Sequence, residues 1–154
     1  MRYWLMKSEP SEYGIDDLRR DGQSAWFGVR NYQARNFMRD DMKVGDLAFF
    51  YHSSCPEPGI AGVCRIAKAA APDATQFDNT NPHYDPKSKP DNPLWVCVEV
   101  AFAKKFELIP LASLRAAPDL ADMRILQRGN RLSITPVSDA EWNFISKTLA
   151  KPVK

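Results

Sequence analysis

The residues best suited to chemistry form one run, Trp26-Phe27-Gly28-Val29-Arg30-Asn31-Tyr32-Gln33-Ala34-Arg35-Asn36, which continues into apolar Phe37-Met38. A helix made only to fill a core has no use for so many hydrogen-bonding side chains, and a solvated face rarely carries this many rings. Aromatic rings beside amide and guanidinium groups suit a planar, polar-edged, weakly anionic ligand, and a nucleobase on its phosphate backbone is one. Asn31 predicts the N-cap of a helix over roughly 32–40. Ala34, Phe37 and Met38 form its buried face, and Arg35 and Arg39 share another. Arg30, Asn31 and Gln33 then gather at the helix N-terminus, where free N–H groups favour an anion.

Other elements must hold this run in place. Tyr3-Trp4-Leu5-Met6 reads as a buried strand that opens onto Lys7-Ser8-Glu9-Pro10, where proline ends it. Residues 14–22 read as a short helix with acids in the first turn, bases in the last and Gly22 at the stop. Leu47 to Tyr51 is apolar on both faces, hence a central strand, and delivers His52 and Ser53 at its mouth. Residues 60–70 alternate as a strand in which Gly62 marks a bulge or a close backbone approach. Phe77 to Pro93 is a long proline-broken loop, either a flap over a site or an excursion between strands. Its acids lack the glycine and terminal glutamate of a calcium loop, so no metal is expected. Residues 94–102 form the clearest strand. Leu111 to Arg115 and Asp119 to Leu126 read as short helices and 131–137 as a last strand. Ser138-Asp139-Ala140-Glu141 is a capping box opening a helix with Trp142, Ile145 and Leu149 inward.

Composition sets the frame. The 154 residues predict one domain over 1–150 with a short tail at 151–154. Such a chain buries roughly two-thirds of its unfolded surface and needs no metal or disulfide to fold. A net charge of +2 is far from that of a non-specific DNA coater, so any nucleic-acid binding must come from a local patch and a pocket. Cys55, Cys64 and Cys97 have no zinc-ligand spacing and read as reduced, the last two as small core residues. No apolar run is long enough to span a membrane, and the first residues do not read as a signal peptide. The expectation is a cytoplasmic monomer with no cofactor. Strands joined by varied connections with peripheral helices predict an α+β fold on a mixed, curled sheet.

Four ordered blocks resemble the signatures of EVE-domain proteins across about residues 2–149: Lys7-Ser8-Glu9-Pro10, the run from Trp26 to Asn36, Phe50-Tyr51-His52-Ser53 and Arg131-Leu132-Ser133-Ile134-Thr135-Pro136. The resemblance implies a PUA-like pseudo-β-barrel of five or six mixed strands flanked by helices. It also implies kinship with YTH readers of methylated RNA and SRA readers of methylated DNA. The implied function is recognition of a modified base, chiefly a 5-substituted cytosine flipped from DNA into a pocket. Phe27 stands where the family usually carries Ser or Thr, which adds apolar bulk beside Trp26. The long basic amino-terminal tail of the eukaryotic members is absent.

A reader of a flipped base needs a stacking surface, edge hydrogen bonds and backbone anchors. Trp26 is the first choice for stacking, with Phe27 second and Val29 beside them. Ser8 and Asn31 are candidates for the base edge, since an amide presents both donor and acceptor. Tyr51, His52, Ser53, Leu132 and Ser133 would complete the pocket. Lys7, Arg30, Arg35 and Arg131 are candidates for the phosphate backbone. Two alternatives stand beside DNA reading: RNA binding, as in YTH relatives, and hydrolysis of a modified cytidine, as in ASCH-type amidohydrolases, with Lys7 and Glu9 or Glu99 as an acid–base pair. No spacing demands catalysis, and no nucleophile-elbow motif surrounds Ser8.

Overall fold

Alternation along β1 (Tyr3–Ser8) sends Trp4 and Met6 to one side and Leu5 to the other, and all three are buried. A strand buried on both faces belongs in the middle of a sheet. β1 pairs in parallel with β3 (Leu47–His52) and antiparallel with β6 (Ile134–Val137). The other strands are β2 (Gln23–Ala25), β4 (Gly59–Pro72) and β5 (Val96–Pro110), and the order across the sheet is β2-β5-β4-β3-β1-β6. This is the expected α+β class with six mixed strands. In the computed structural model, which describes residues 1–153, the sheet is not closed into a barrel: β2 and β6 remain its two edges.

Each face carries its own core. On one, Trp26, Val29, Ala34 and Met38 pack with Trp4, Met6, Phe50, Ile66 and Val100, together with Ile15 and Leu18 of α1 (Ile15–Asp21). On the other, α3 (Leu111–Ala116) contributes Leu114, and Trp142 of α4 (Asp139–Phe144) stacks on Phe49 at 4.0 Å and on Tyr3 at 4.4 Å. α4 starts at the capping box read in the sequence: Glu141 N–H donates to Ser138 Oγ and Ser138 N–H to the Glu141 carboxylate. Cys64 and Cys97 are core residues, and burial pushes the Cys64 thiol up to about 12.

Several boundaries differ from those expected, each for a local reason. β1 runs on through Ser8 because Lys7 N–H finds the Ser133 carbonyl and the strand stays paired with β3 as far as His52. The expected helix over 32–40 is α2 (Tyr32–Asn36) followed by a wider π-type turn, Phe37–Asp41, closed by Met42 N–H on the Phe37 carbonyl. Residues 119–126 are not a helix: they hold two single 3-10 turns, Pro118–Leu120 and Arg124–Leu126, which bury Leu120 and Ile125. The last strand begins at Ile134 rather than at 131, and β5 begins at Val96 and runs on to Pro110. Gly62 marks both a register shift and a close approach: a Cβ there would lie 2.3 Å from the Lys104 carbonyl oxygen.

The connection between β4 and β5 is an excursion built on two buried polar residues. Gln76 donates from its amide to the carbonyls of Asp73 and Trp95, and its own amide oxygen accepts from Trp95 N–H and the Ser88 hydroxyl. Asp85 accepts from the Trp95 indole N–H at 2.7 Å. Asp73, whose side chain is 0% exposed, accepts from Gly28 N–H at 2.8 Å, Thr75 N–H at 2.9 Å, the Thr75 hydroxyl and Arg30 at 3.2 Å. Burial alone would raise the Asp73 pKa, but these hydrogen bonds and the guanidinium outweigh it and hold the carboxyl below its usual range.

Two stability predictions follow from this packing. Gly62→Ala forces the β4–β5 pair apart, and urea titration is expected to show a loss of about 1–3 kcal/mol. Asp73→Asn turns one acceptor towards donors, with an expected loss of about 1.5–3 kcal/mol at neutral pH. A depressed carboxyl contributes stability above its unfolded value of about 4 and loses it as pH falls through the folded value. The gap between wild type and Asp73→Asn is therefore expected to narrow as titrations move from about pH 5 towards about pH 2; a gap independent of pH would contradict the assignment.

Candidate functional site

A cleft of about 510 Å³ opens on the face of the sheet that carries Trp26. Its volume falls within the roughly 300–1,000 Å³ of small-molecule sites. β1 supplies Lys7 and Ser8, and the turn after it Glu9, Glu12 and Tyr13. Ser24 and Ala25 of β2 form another side, Trp26, Phe27 and Gly28 a third, and Pro82 and His83 of the excursion the last. Glu12 N–H and Tyr13 N–H both donate to the Glu9 carbonyl, and the Ser8 hydroxyl donates to the Tyr13 carbonyl at 2.6 Å, so the turn is closed on itself. Gly28 has φ +85°, and a Cβ there would lie 2.6 Å from the His83 ring. The positive φ favours glycine at that position, and the exposed His83 imidazole rests against it.

The two rings expected to stack are placed differently. Trp26 is 8% exposed and meets Phe50 edge-to-face at 5.4 Å, a core ring with one side on the cleft. Phe27 is 53% exposed at the cleft wall. The two neighbours therefore face opposite ways, Trp26 into the core and Phe27 outward. Lys7 is half-buried in the same cleft, and burial lowers its pKa.

The remaining candidates do not meet there. Val29 lies in the core. Asn31 is exposed as the N-cap of α2, its side-chain oxygen taken by Ala34 N–H at 3.1 Å. Tyr51 points to the opposite face of the sheet, into the core around Trp142, because side chains alternate along β3 and Phe50 and His52 take the near face. His52 accepts from Ile15 N–H through Nε2 at 3.1 Å and so holds α1 against the sheet; burial lowers its pKa. Ser53 N–H and the Ser133 carbonyl hydrogen-bond to the backbone of Ser8 and Lys7 respectively, behind the cleft, with Leu132 beside them in the chain.

The arginines divide sharply. Arg30, expected at the phosphate backbone, is instead a brace. Its side chain is 21% exposed, and all five N–H donors have acceptors within the protein: the His83 carbonyl twice, the Val29 carbonyl, Asp73 and the Thr75 hydroxyl. Arg35 bonds the Leu94 carbonyl and Asn36 and lies over the Tyr32 ring at 4.7 Å. Tyr32 in turn stacks on Trp95 at 4.8 Å. Arg131 is exposed on the approach to β6.

Glu12, Tyr13, Ser24, Ala25, Gly28, Pro82 and His83 line the cleft without having been singled out as site residues. For Gly28 the signal was present, a glycine beside two aromatics. For His83 there was none, since its position depends on a buried carboxylate at 73 meeting a backbone N–H at 28.

Comparison with known proteins places this architecture. The EVE domain profile matches residues 2–148. Human thymocyte nuclear protein 1 is 47% identical over 163 aligned positions, which cover 93% of this chain and 72% of the human protein. A crystal structure from Pseudomonas putida superposes with a TM-score of 0.91 at 48% identity, covering 94% of this chain and 97% of that one. The crystal structure of human THYN1 in complex with 5-methylcytosine containing DNA superposes with a TM-score of 0.89 at 46% identity, covering 94% and 95%. With its profile, its sequence relatives and its fold in agreement, the chain belongs to the EVE-domain family.

Proposed function

We propose that this protein is a reader of 5-methylcytosine in DNA, a binding module rather than an enzyme, and that the flipped base enters the cleft beside Phe27. The observation that carries this reading is the likeness, at 46% identity over 94% of the chain, to human THYN1 solved with 5-methylcytosine containing DNA. The cleft supports it. Phe27 offers an accessible ring for stacking, Trp26 a packed wall, the His83 ring lies against Gly28, and Lys7 contributes a cation to the lining. Arg131, exposed and absent from the cleft lining, is left as a candidate for the phosphate backbone. Extrusion costs a few kcal/mol, and stacking on one aromatic returns roughly 1–3 kcal/mol, so ring and edge contacts must act together.

Fluorescence anisotropy with matched duplexes tests the reading. The expected order is tightest binding to 5-methylcytosine duplex, weaker to unmodified duplex and to RNA of the same sequence; equal binding to all three would overturn it. Phe27→Ala is expected to cost about 1–3 kcal/mol of affinity with the thermal melt unchanged, because the ring is more than half exposed. Trp26→Ala is the less informative variant: removal of a core ring is expected to cost about 3–5 kcal/mol of fold stability.

A further inference from the structure

We propose that the carboxylates of Glu9 and Glu12 make this cleft selective for the 4-amino edge of cytosine, so that it rejects thymine, a base carrying the same 5-methyl group. This rests on the reading of the cleft as the 5-methylcytosine site. The motivating observation is a charge in the wrong place for a polyanion: two acids and a single cation, Lys7, line a cleft assigned to DNA. Among the described residues neither carboxylate takes part in an ion pair, unlike Asp17 and Asp21 of the helix that follows. Both residues sit on the turn whose backbone is closed by the Glu9 carbonyl and the Ser8 hydroxyl, and both are exposed, so their carboxylates are free to meet a ligand.

A carboxylate only accepts hydrogen bonds. Cytosine presents an amino donor at position 4, whereas thymine presents a carbonyl oxygen there, which the carboxylate repels. The acceptors beside that amino group, N3 and O2, suit the ammonium of Lys7, which burial makes less able to stay charged without a partner. Ser8 cannot replace it as donor, because its hydroxyl proton is committed to the Tyr13 carbonyl. The same carboxylates repel phosphate, which keeps the backbone at the rim while the base enters. The face of the base and its 4-amino group thus meet different partners: aromatic rings the first, acids the second.

The test uses the full chain and one duplex sequence with three central pairs: 5-methylcytosine·G, cytosine·G and thymine·G. The mismatched thymine is the easier base to extrude, so any preference against it must arise in the cleft. Wild type is expected to bind 5-methylcytosine·G at least about tenfold more tightly than thymine·G, the scale of one good base-edge contact. Glu9→Gln/Glu12→Gln, whose amides can donate to the thymine carbonyl, is expected to bring that ratio to within about twofold. The preference for 5-methylcytosine over cytosine should survive in it, and the single variants show which acid dominates. Equal wild-type binding of 5-methylcytosine·G and thymine·G, or an unchanged ratio in the double variant with an unaltered thermal melt, would overturn the proposal. No wild-type preference for 5-methylcytosine over cytosine would overturn the underlying reading, and the proposal with it.

Discussion

One buried carboxylate connects the two halves of the cleft. Asp73 stands at the end of β4, fully enclosed, and binds the backbone of Gly28 on one side and Thr75 on the other. A buried charge left without partners would cost several kcal/mol, so the fold must keep all of these donors close. Keeping them close brings the aromatic run from Trp26 onwards against the excursion between β4 and β5. Arg30 extends the clamp by reaching from Asp73 and Thr75 to the carbonyl of His83. The cleft wall is thus set by a hydrogen-bond network of high sequence separation, and the sheet beneath serves as its platform.

Glycine at position 28 is the steric counterpart of that network. Its N–H donates to Asp73, its φ is positive, and its missing side chain leaves room for the His83 ring. A second polar residue, Gln76, satisfies four groups of the excursion from inside it. A connection this long without regular structure would carry many unpaired backbone groups. Here its own side chains pair them, which is why it holds one shape and can form part of a binding surface.

Much of this was legible in the sequence, and the limits were physical ones. The Asn31 cap, the capping box at Ser138 and the glycine at 62 are local signals, and local hydrogen-bond or steric logic fixes their meaning. The block containing Tyr51, His52 and Ser53 shows where such logic fails. Adjacent residues on a strand face opposite ways, so a contiguous motif at a strand end cannot all line one pocket. Arg30 shows a second limit. Its composition suits phosphate, but a guanidinium saturated by distant acceptors has no donor left for a ligand, and the decisive partner is 43 positions away. The 119–126 segment misled through propensity: it holds enough apolar residues for a helix, but two short turns, Pro118–Leu120 and Arg124–Leu126, suffice to bury Leu120 and Ile125.

The distribution of charge ties these points together. The chain is only mildly basic, and two of its arginines are spent inside the protein, one entirely and one in large part. On the proposed reading, long-range attraction to DNA is modest, and residence on a site depends on what fills the cleft. On the same reading the acids weaken non-specific contact with phosphate and reward a base with an amino group to offer. Selectivity by repulsion costs affinity for every ligand, including the right one. On that reading, stacking on Phe27 and contact with the packed Trp26 ring offset that cost. The wall that Asp73 ties to the backbone of Gly28 is thus the side of the cleft opposite which, on the proposed reading, a base would be presented to the acids.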